Sequence, residues 1–463
     1  MKTLALLCVT CIALALLNNS SAFGGPLTPI QHLIVIVQEN HSFDNYFGTY
    51  PTSNGTLNST IAEQLQQVDG IPKGTCLPYS AACLRPYRTN SSKAEDPIEG
   101  QAVYEQDYDS GKMDGFARTS GPQSLAYFDQ NEIAAYWTYA EEYGLAENYF
   151  APVLSTTNPN RLMLLAGDSS VADNEGPPPF LPYNDTILHQ LSAAGISWGY
   201  FDFFLSAGGR NLVPPINYLS GLDQGALGQI QGVPLFFQEL TENRLPSVTF
   251  LNAIGFDTLD EHPPANVTAG ELWVVSIINA VMESGYWTSS AILITYDEGG
   301  GYYDHVAPPQ LLTINHGFEK PLHGYGQRVP LLVISPYAKE NYVCDVLLNH
   351  MSILRFIDYN WNLPALNQNI ANSNNLLDFF YFNGSPRPPI ILESSGPYST
   401  NSYPAPIQIP FDQLPYSRNG SAIPENSWKL PLIIPLAIGT IALTMIALCA
   451  SRRQQRSGSY ELF

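Results

Sequence analysis

Residues 34–37 of this chain read Ile-Val-Ile-Val, and the next four read Gln38-Glu39-Asn40-His41. An unbroken β-branched run predicts a strand covered on both faces, as in a parallel sheet packed between helices. Four polar side chains at the exit of such a strand are costly to enclose without partners. In open α/β sheets, the crevice beyond the carboxyl ends of the strands is where ligands bind. The pattern occurs a second time, where residues 291–296 lead into Asp297-Glu298, three glycines and then Asp304-His305. Adjacent carboxylates repel, so a pair at a strand exit invites a cation. The glycines let the backbone approach a ligand closely. Either stretch alone also fits a polar loop; together they predict one site built from two strand exits.

The rest of the body has the same rhythm. Further strands are predicted at 33–37, 197–201, 248–251, 291–296 and 331–334, and helices at 133–143, 161–166, 269–284 and 351–359. Strands alternating with helices predict an α/β fold with a mostly parallel central sheet flanked by helices, as one large domain over residues 26–382. Residues 52–120 lack strong periodicity and read as a long insertion. Cys76 and Cys83 lie in it and are expected to pair, while Cys344 is expected to be a buried core thiol. Residues 383–429, rich in Pro, Ser, Asn and Tyr, read as a spacer.

The two ends of the chain speak about location. Lys2, an apolar run over 4–17 and small residues up to Ala22 read as a signal peptide, residues 1–22. Residues 430–450 carry no charge and are followed by Arg452, Arg453 and Arg456. That predicts a C-terminal transmembrane helix with a cytoplasmic tail, residues 451–463, and hence a cell-surface protein. Asn-x-Ser/Thr sequons at Asn54, Asn58, Asn90, Asn184, Asn266, Asn383 and Asn419 fit an exported glycoprotein. Acidic residues outnumber basic ones 41 to 20, and only 13% of the chain is charged. Such a surface does not seek nucleic acid. With so few charges and so many sequons, it suits an acidic medium in which many carboxylates are neutralised.

A third polar piece is Ser155-Thr156-Thr157-Asn158-Pro159 before an apolar helical stretch. A hydroxyl at a helix N-terminus meets free N–H groups and the positive dipole end, which suits an attacked phosphate. It also suits a plain helix cap.

Taken in order, "QENHSFDNYFGTYP", "GKMDGF", "TTNPNRL", "DEHPP", "TYDEGGGYYDHV", "RVPLLVISPYA" and "NHMSILRFI" resemble the motif set of the phosphoesterase family. That family joins bacterial phospholipases C, plant non-specific phospholipases C and a group of acid phosphatases. The resemblance runs from about His32 to Phe380. It implies an alkaline-phosphatase-like fold, a hydroxyl nucleophile and a divalent metal ion (Mg, Ca, Mn or Zn). By position it implies metal ligation by Glu39, Asn40, Asp297 and Glu298, with Asn40 also touching phosphate. It implies Thr157 as the nucleophile, and His262 and His350 as contacts for phosphate oxygens or the leaving group. His305 is a further catalytic candidate. Many relatives carry one more active-site histidine shortly before the Lys-Met-Asp-Gly stretch. Here residues 95–116 contain none, and Glu99 lies nearby.

The function expected is therefore metal-dependent hydrolysis of a phosphate ester or phospholipid through a phosphothreonine, of phosphatase or phospholipase C type. The alternative from another class is a non-catalytic surface binding or envelope protein on a retained fold.

Overall fold

The computed structural model describes residues 25–51, 65–174, 180–202, 215–253, 259–310, 313–314 and 322–394. The expected signal peptide, transmembrane helix and cytoplasmic tail, most of the expected spacer, and the sequons at Asn54, Asn58 and Asn419 lie outside these residues. No described helix is long and apolar enough to cross a membrane.

Thirteen elements position the site: β1 (His32–Gln38), α1 (Phe43–Phe47), α2 (Gln101–Tyr108), β2 (Gly144–Ala146), α3 (Thr157–Ala166), β3 (Trp198–Asp202), β4 (Ile230–Gly232), β5 (Val248–Asn252), α4 (Val267–Glu283), β6 (Ser290–Tyr296), β7 (Leu331–Ile334), β8 (Tyr342–Cys344) and α5 (His350–Asn360). The eight strands form one sheet in the order β4-β3-β5-β1-β6-β7-β2-β8. β1 lies between β5 and β6, parallel to both. Its Leu33, Ile34, Val35 and Ile36 are wholly buried, as the unbroken β-branched run requires.

The sheet is mixed rather than uniformly parallel, because β7 runs antiparallel to both β6 and β2. A parallel return needs a crossover, usually a helix. β7 instead returns antiparallel against β6. α3 packs with α5 and with the helix Ile187–Ala194, whereas α4 packs with Ala134–Glu142 and Val233–Thr241. All five expected strands and all four expected helices are present.

Cys76 and Cys83 form a disulfide, with Cα atoms 5.4 Å apart, across a hairpin of Leu77–Tyr79 and Ala82–Leu84. Cys344 is buried, and its Sγ lies 3.5 Å from Asp378 Oδ2. The body extends past residue 382, where the spacer was expected to begin. Arg387 donates to Glu142 O at 2.8 Å and lies over the Tyr143 ring, and Asn279 Nδ2 donates to Leu392 O at 2.8 Å. Asn90, Asn184 and Asn383 are exposed, while Asn266 caps α4.

Candidate active site

Because β5, β1 and β6 run parallel side by side, their carboxyl ends open on one edge of the sheet. The pairing of Gln38 with Tyr296 puts Glu39 level with Asp297. The ladder continues one step further, with Asp297 N–H donating to Gln38 O at 3.1 Å and Glu39 N–H to Asp260 O at 2.9 Å. Asn40 then turns the chain at φ 68°, a left-handed conformation that Asn tolerates better than most residues. Its N–H donates to Asp297 Oδ1 at 3.1 Å. The glycine run closes on this turn. A Cβ at Gly300, where φ is 60°, would stand 2.4 Å from Asn40 O and 2.6 Å from Asn40 Cβ. Glu39, Asn40, Asp297 and Glu298 are all buried.

α3 begins at Thr157, with Thr156 as its N-cap. Ser155 Oγ donates to Ala172 O at 2.5 Å, and Thr156 Oγ1 to Asp173 Oδ1 at 2.8 Å. Among the described residues the Thr157 hydroxyl has no hydrogen-bond partner, so of the three neighbouring hydroxyls it alone is uncommitted. Four residues on, hence on the same helix face, stands Arg161. Its buried guanidinium donates to Asp297 Oδ2 at 3.0 Å, Asn252 Oδ1 at 2.7 Å, Gln38 O at 3.2 Å and Glu39 Oε1 at 3.4 Å. Burial opposes its charge, but Asp297 and Glu39 outweigh burial and hold the guanidinium protonated. Arg161 thus ties α3 to the exits of β1, β5 and β6. Sequence reading gave it no role; the available signal was one arginine opening an otherwise apolar helical stretch.

The expected insertion supplies a wall of the site. Asn40 Nδ2 donates to Glu99 Oε1 at 2.5 Å, and His262 Nε2 stands 3.9 Å from Glu99 Oε2. From α2, Tyr104 OH donates to Glu298 Oε1 at 3.1 Å, while Gly300 N–H donates to Glu298 Oε2 at 2.6 Å. Burial pushes the Glu99 carboxyl up to about 7, with His262 opposing and Asp96 adding to the shift. Burial, then Glu99 and Asp297, push Glu298 well above the usual carboxylate range.

The histidines divide into different environments. His262 follows Glu261, whose φ is 64°. Its Nδ1 donates to Pro263 O at 2.7 Å, since a carbonyl can only accept. That leaves Nε2 turned toward Glu99. Glu261 is buried and accepts from Tyr136 at 2.6 Å, from Tyr46 and Tyr296 at 2.7 Å each, and from Gln38 Nε2 at 2.9 Å. This cage fixes the backbone beside His262. His350, at the start of α5, stacks on Tyr149 and pairs with its hydroxyl at 3.1 Å. Burial and then the charge of Arg161 lower its pKa to about 3, so its imidazole is neutral. His305 is held elsewhere, with Nδ1 2.8 Å from Asp44 Oδ2 and Nε2 3.2 Å from Asp69 Oδ1. Burial would lower its pKa, but Asp44 reverses that and raises it to about 9. Its ring is engaged in an ion-pair network with Asp44, Asp304 and Arg328, and both nitrogens are taken.

A model of the Phosphoesterase family matches residues 30–364, a span holding every strand exit described above. The chain belongs to the Phosphoesterase family. It is 27% identical over 421 residues to Phospholipase C B of Mycobacterium tuberculosis, covering 79% of this chain and 80% of that protein. It is 28% identical over 364 residues to Non-specific phospholipase C4 of Arabidopsis thaliana, covering 68% of this chain and 63% of that one. A solved protein in the alkaline phosphatase superfamily from Vibrio parahaemolyticus covers 77% of this chain at 10% identity, with a TM-score of 0.37. So low a score decides nothing about the site.

For this member of the Phosphoesterase family, the residues at the strand exits fit a hard divalent cation. Glu39, Asp297 and Glu298 bring three carboxyl groups to the exits of β1 and β6, where one buried guanidinium, Arg161, reaches Glu39 and Asp297. Asn40 Oδ1 is buried and has no hydrogen-bond partner, as expected of an oxygen reserved for a ligand. An all-oxygen donor set of this kind suits Mg²⁺, Ca²⁺ or Mn²⁺ better than a soft metal. Among the described residues, the groups whose ligand atoms lie within 4.8 Å of one another are Asp96, Glu99 and His262, and Asp44, Asp304 and His305; Glu39, Asp297 and Glu298 are not that close. The second of these groups already has a cation, since Arg328 lies 3.0 Å from Asp44 Oδ1 and 3.1 Å from Asp304 Oδ1.

Proposed function

We propose that this chain is a metal-dependent hydrolase of phosphoric esters, of phosphatase or phospholipase C type, in which Thr157 is the nucleophile. The observation that carries the reading is the uncommitted Thr157 hydroxyl on the helix face that Arg161 ties to Glu39 and Asp297. A divalent cation held by Asn40 Oδ1, Glu39, Asp297 and Glu298 would lower the pKa of that hydroxyl and screen the phosphate charge.

In this reading Thr157 Oγ1 bonds phosphorus as the bond to the ester oxygen breaks, and the departing alkoxide takes up a proton. Water then breaks the Oγ1–P bond, returning the threonine and releasing phosphate or a phosphomonoester. Asn40 orients a phosphate oxygen. His262, with Nδ1 fixed on Pro263 O, presents Nε2 to the phosphate or the leaving oxygen. His350 acts as a neutral hydrogen-bonding group beside Asp297 rather than as an imidazolium, and His305 braces the loop that follows the glycines. Export with a C-terminal anchor at residues 430–450 completes the reading; membrane partitioning of full-length chain against chain ending at residue 425 tests it.

The activity test uses protein freed of metal by chelation and assayed on p-nitrophenyl phosphate and p-nitrophenyl phosphorylcholine, with Mg²⁺, Ca²⁺, Mn²⁺ or Zn²⁺ restored singly. Metal-dependent release from either ester supports the reading, and which ester is cut assigns the type. Folded protein that releases nothing from either with any metal contradicts it.

A further inference from the structure

We infer that Glu99 sets the charge selectivity of the site, favouring singly charged phosphodiesters over doubly charged phosphomonoesters; this rests on the phosphoesterase reading above. The carboxylate stands between the two groups that face phosphate in that reading. One oxygen accepts from Asn40 Nδ2 at 2.5 Å, and the other lies 3.9 Å from His262 Nε2, beyond hydrogen-bond reach. It is not spent on a cation of the protein, since no lysine or arginine pairs with it among the described residues. The backbone just before it, at Ile98, is held in place. Ile98 N–H donates to Ser120 O at 3.0 Å, and a Cβ at Gly301 would lie 2.9 Å from Ile98 O, so the glycine run packs directly against this wall. Asp96 adds a second carboxylate within 4.8 Å of the Glu99 and His262 ligand atoms.

The consequence is electrostatic. A monoester carries up to two negative charges near neutral pH, because its second ionisation falls near pH ~6. A diester carries one. A phosphate bound between Asn40 and His262 lies within a few ångströms of Glu99, where each added charge weakens binding by roughly ten- to a hundredfold after screening. Uncharged Asn40 and the Glu99 carboxylate therefore leave this corner tolerant of an ester group and hostile to a second anionic oxygen.

The experiment compares wild type, Glu99→Gln and Glu99→Asp as full-length, metal-loaded proteins at about pH 8.5, where the carboxylate and the monoester's second ionisation are both complete, on p-nitrophenyl phosphate and bis(p-nitrophenyl) phosphate, which share a leaving group. Wild type is expected to prefer the diester. Glu99→Gln should shift the ratio of monoester to diester kcat/KM upward by roughly ten- to a hundredfold, chiefly through a lower monoester KM. Glu99→Asp should keep the wild-type ratio, and Asp96→Asn, at a more exposed carboxylate, should shift it in the same direction by less. Inhibition by inorganic phosphate should tighten in Glu99→Gln alongside the monoester KM. A wild type that prefers the monoester, or a Glu99→Gln protein in which both esters change by the same factor, overturns the inference while leaving the phosphoesterase reading intact. Wild type inactive on both esters with every metal overturns both.

Discussion

Replacing Arg161 with methionine keeps an unbranched apolar stem and removes the charged head. The guanidinium donates to two carboxylates, a carboxamide and a carbonyl at 2.7–3.4 Å, all in the buried floor of the site. Deleting one partner of a buried ion pair strands the other charge and costs about 3–5 kcal/mol. Here Asp297 and Glu39 both lose their cation, so the upper part of that range is expected for metal-free protein unfolded by guanidinium at neutral pH. A divalent cation can neutralise the stranded carboxylates, so added metal should raise the melting temperature of Arg161→Met more than that of wild type. The double variant Arg161→Met/Asp297→Asn should recover part of the loss, because the second change removes the charge that the first exposed. The pKa of His350 should rise as well, since Arg161 helps to hold it down at about 3. A loss below about 1 kcal/mol, or strict additivity with Asp297→Asn, would refute Arg161 as the counter-charge of the site.

Other expectations follow from the same geometry. Thr157→Ala should lower metal-saturated ester hydrolysis by roughly a thousandfold or more, while Ser155→Ala and Thr156→Ala, whose hydroxyls are already committed, should reduce it far less. Gly300→Ala should weaken divalent-cation binding and lower the melting temperature, since the added methyl meets the Asn40 backbone at 2.4 Å; calorimetry of metal binding checks it. Burial raises the carboxyls of Asp358 to about 7 and Glu271 to about 8. These groups therefore bind protons more tightly when folded, and their contribution is lost as pH rises through those values. His305, raised to about 9, acts in the same direction. Stability should rise as pH falls from about 9 to about 6.5. Below that, His41 and His350, held neutral at about 4 and about 3, oppose further gain. Both oxygens of Asp358 lack partners, so Asp358→Asn should be more stable than wild type at pH 8 and lose that advantage by pH 5, as read by thermal melts.

The sheet was legible because burial on both faces leaves strands such as β1, β5 and β6 as continuous apolar runs, and their exits are marked by Glu39-Asn40 and Asp297-Glu298. The short strands Gly144–Ala146, Ile230–Gly232 and Tyr342–Cys344 are too brief for any period to register. Tyr104 and Arg161 escaped because each takes its role through a partner more than a hundred positions away, which no local pattern encodes. Glu99 stands out in the sequence only as lying near a missing histidine, not as a partner of Asn40. His305 was read from its position after the glycines, but its environment is decided by Asp44 and Asp69, more than two hundred residues upstream. The neutrality of His350 likewise comes from burial and from Arg161, neither visible in "NHMSILRFI".

The central claim is that Thr157 becomes phosphorylated during turnover. Metal-loaded protein mixed with excess p-nitrophenyl phosphate or bis(p-nitrophenyl) phosphate, quenched in acid within one turnover and digested, should yield the Thr157 peptide carrying the added phosphoryl or ester group, with fragmentation locating it on Thr157. Turnover proceeding with that peptide unmodified, or with the label on Ser155 or Thr156, would contradict the account.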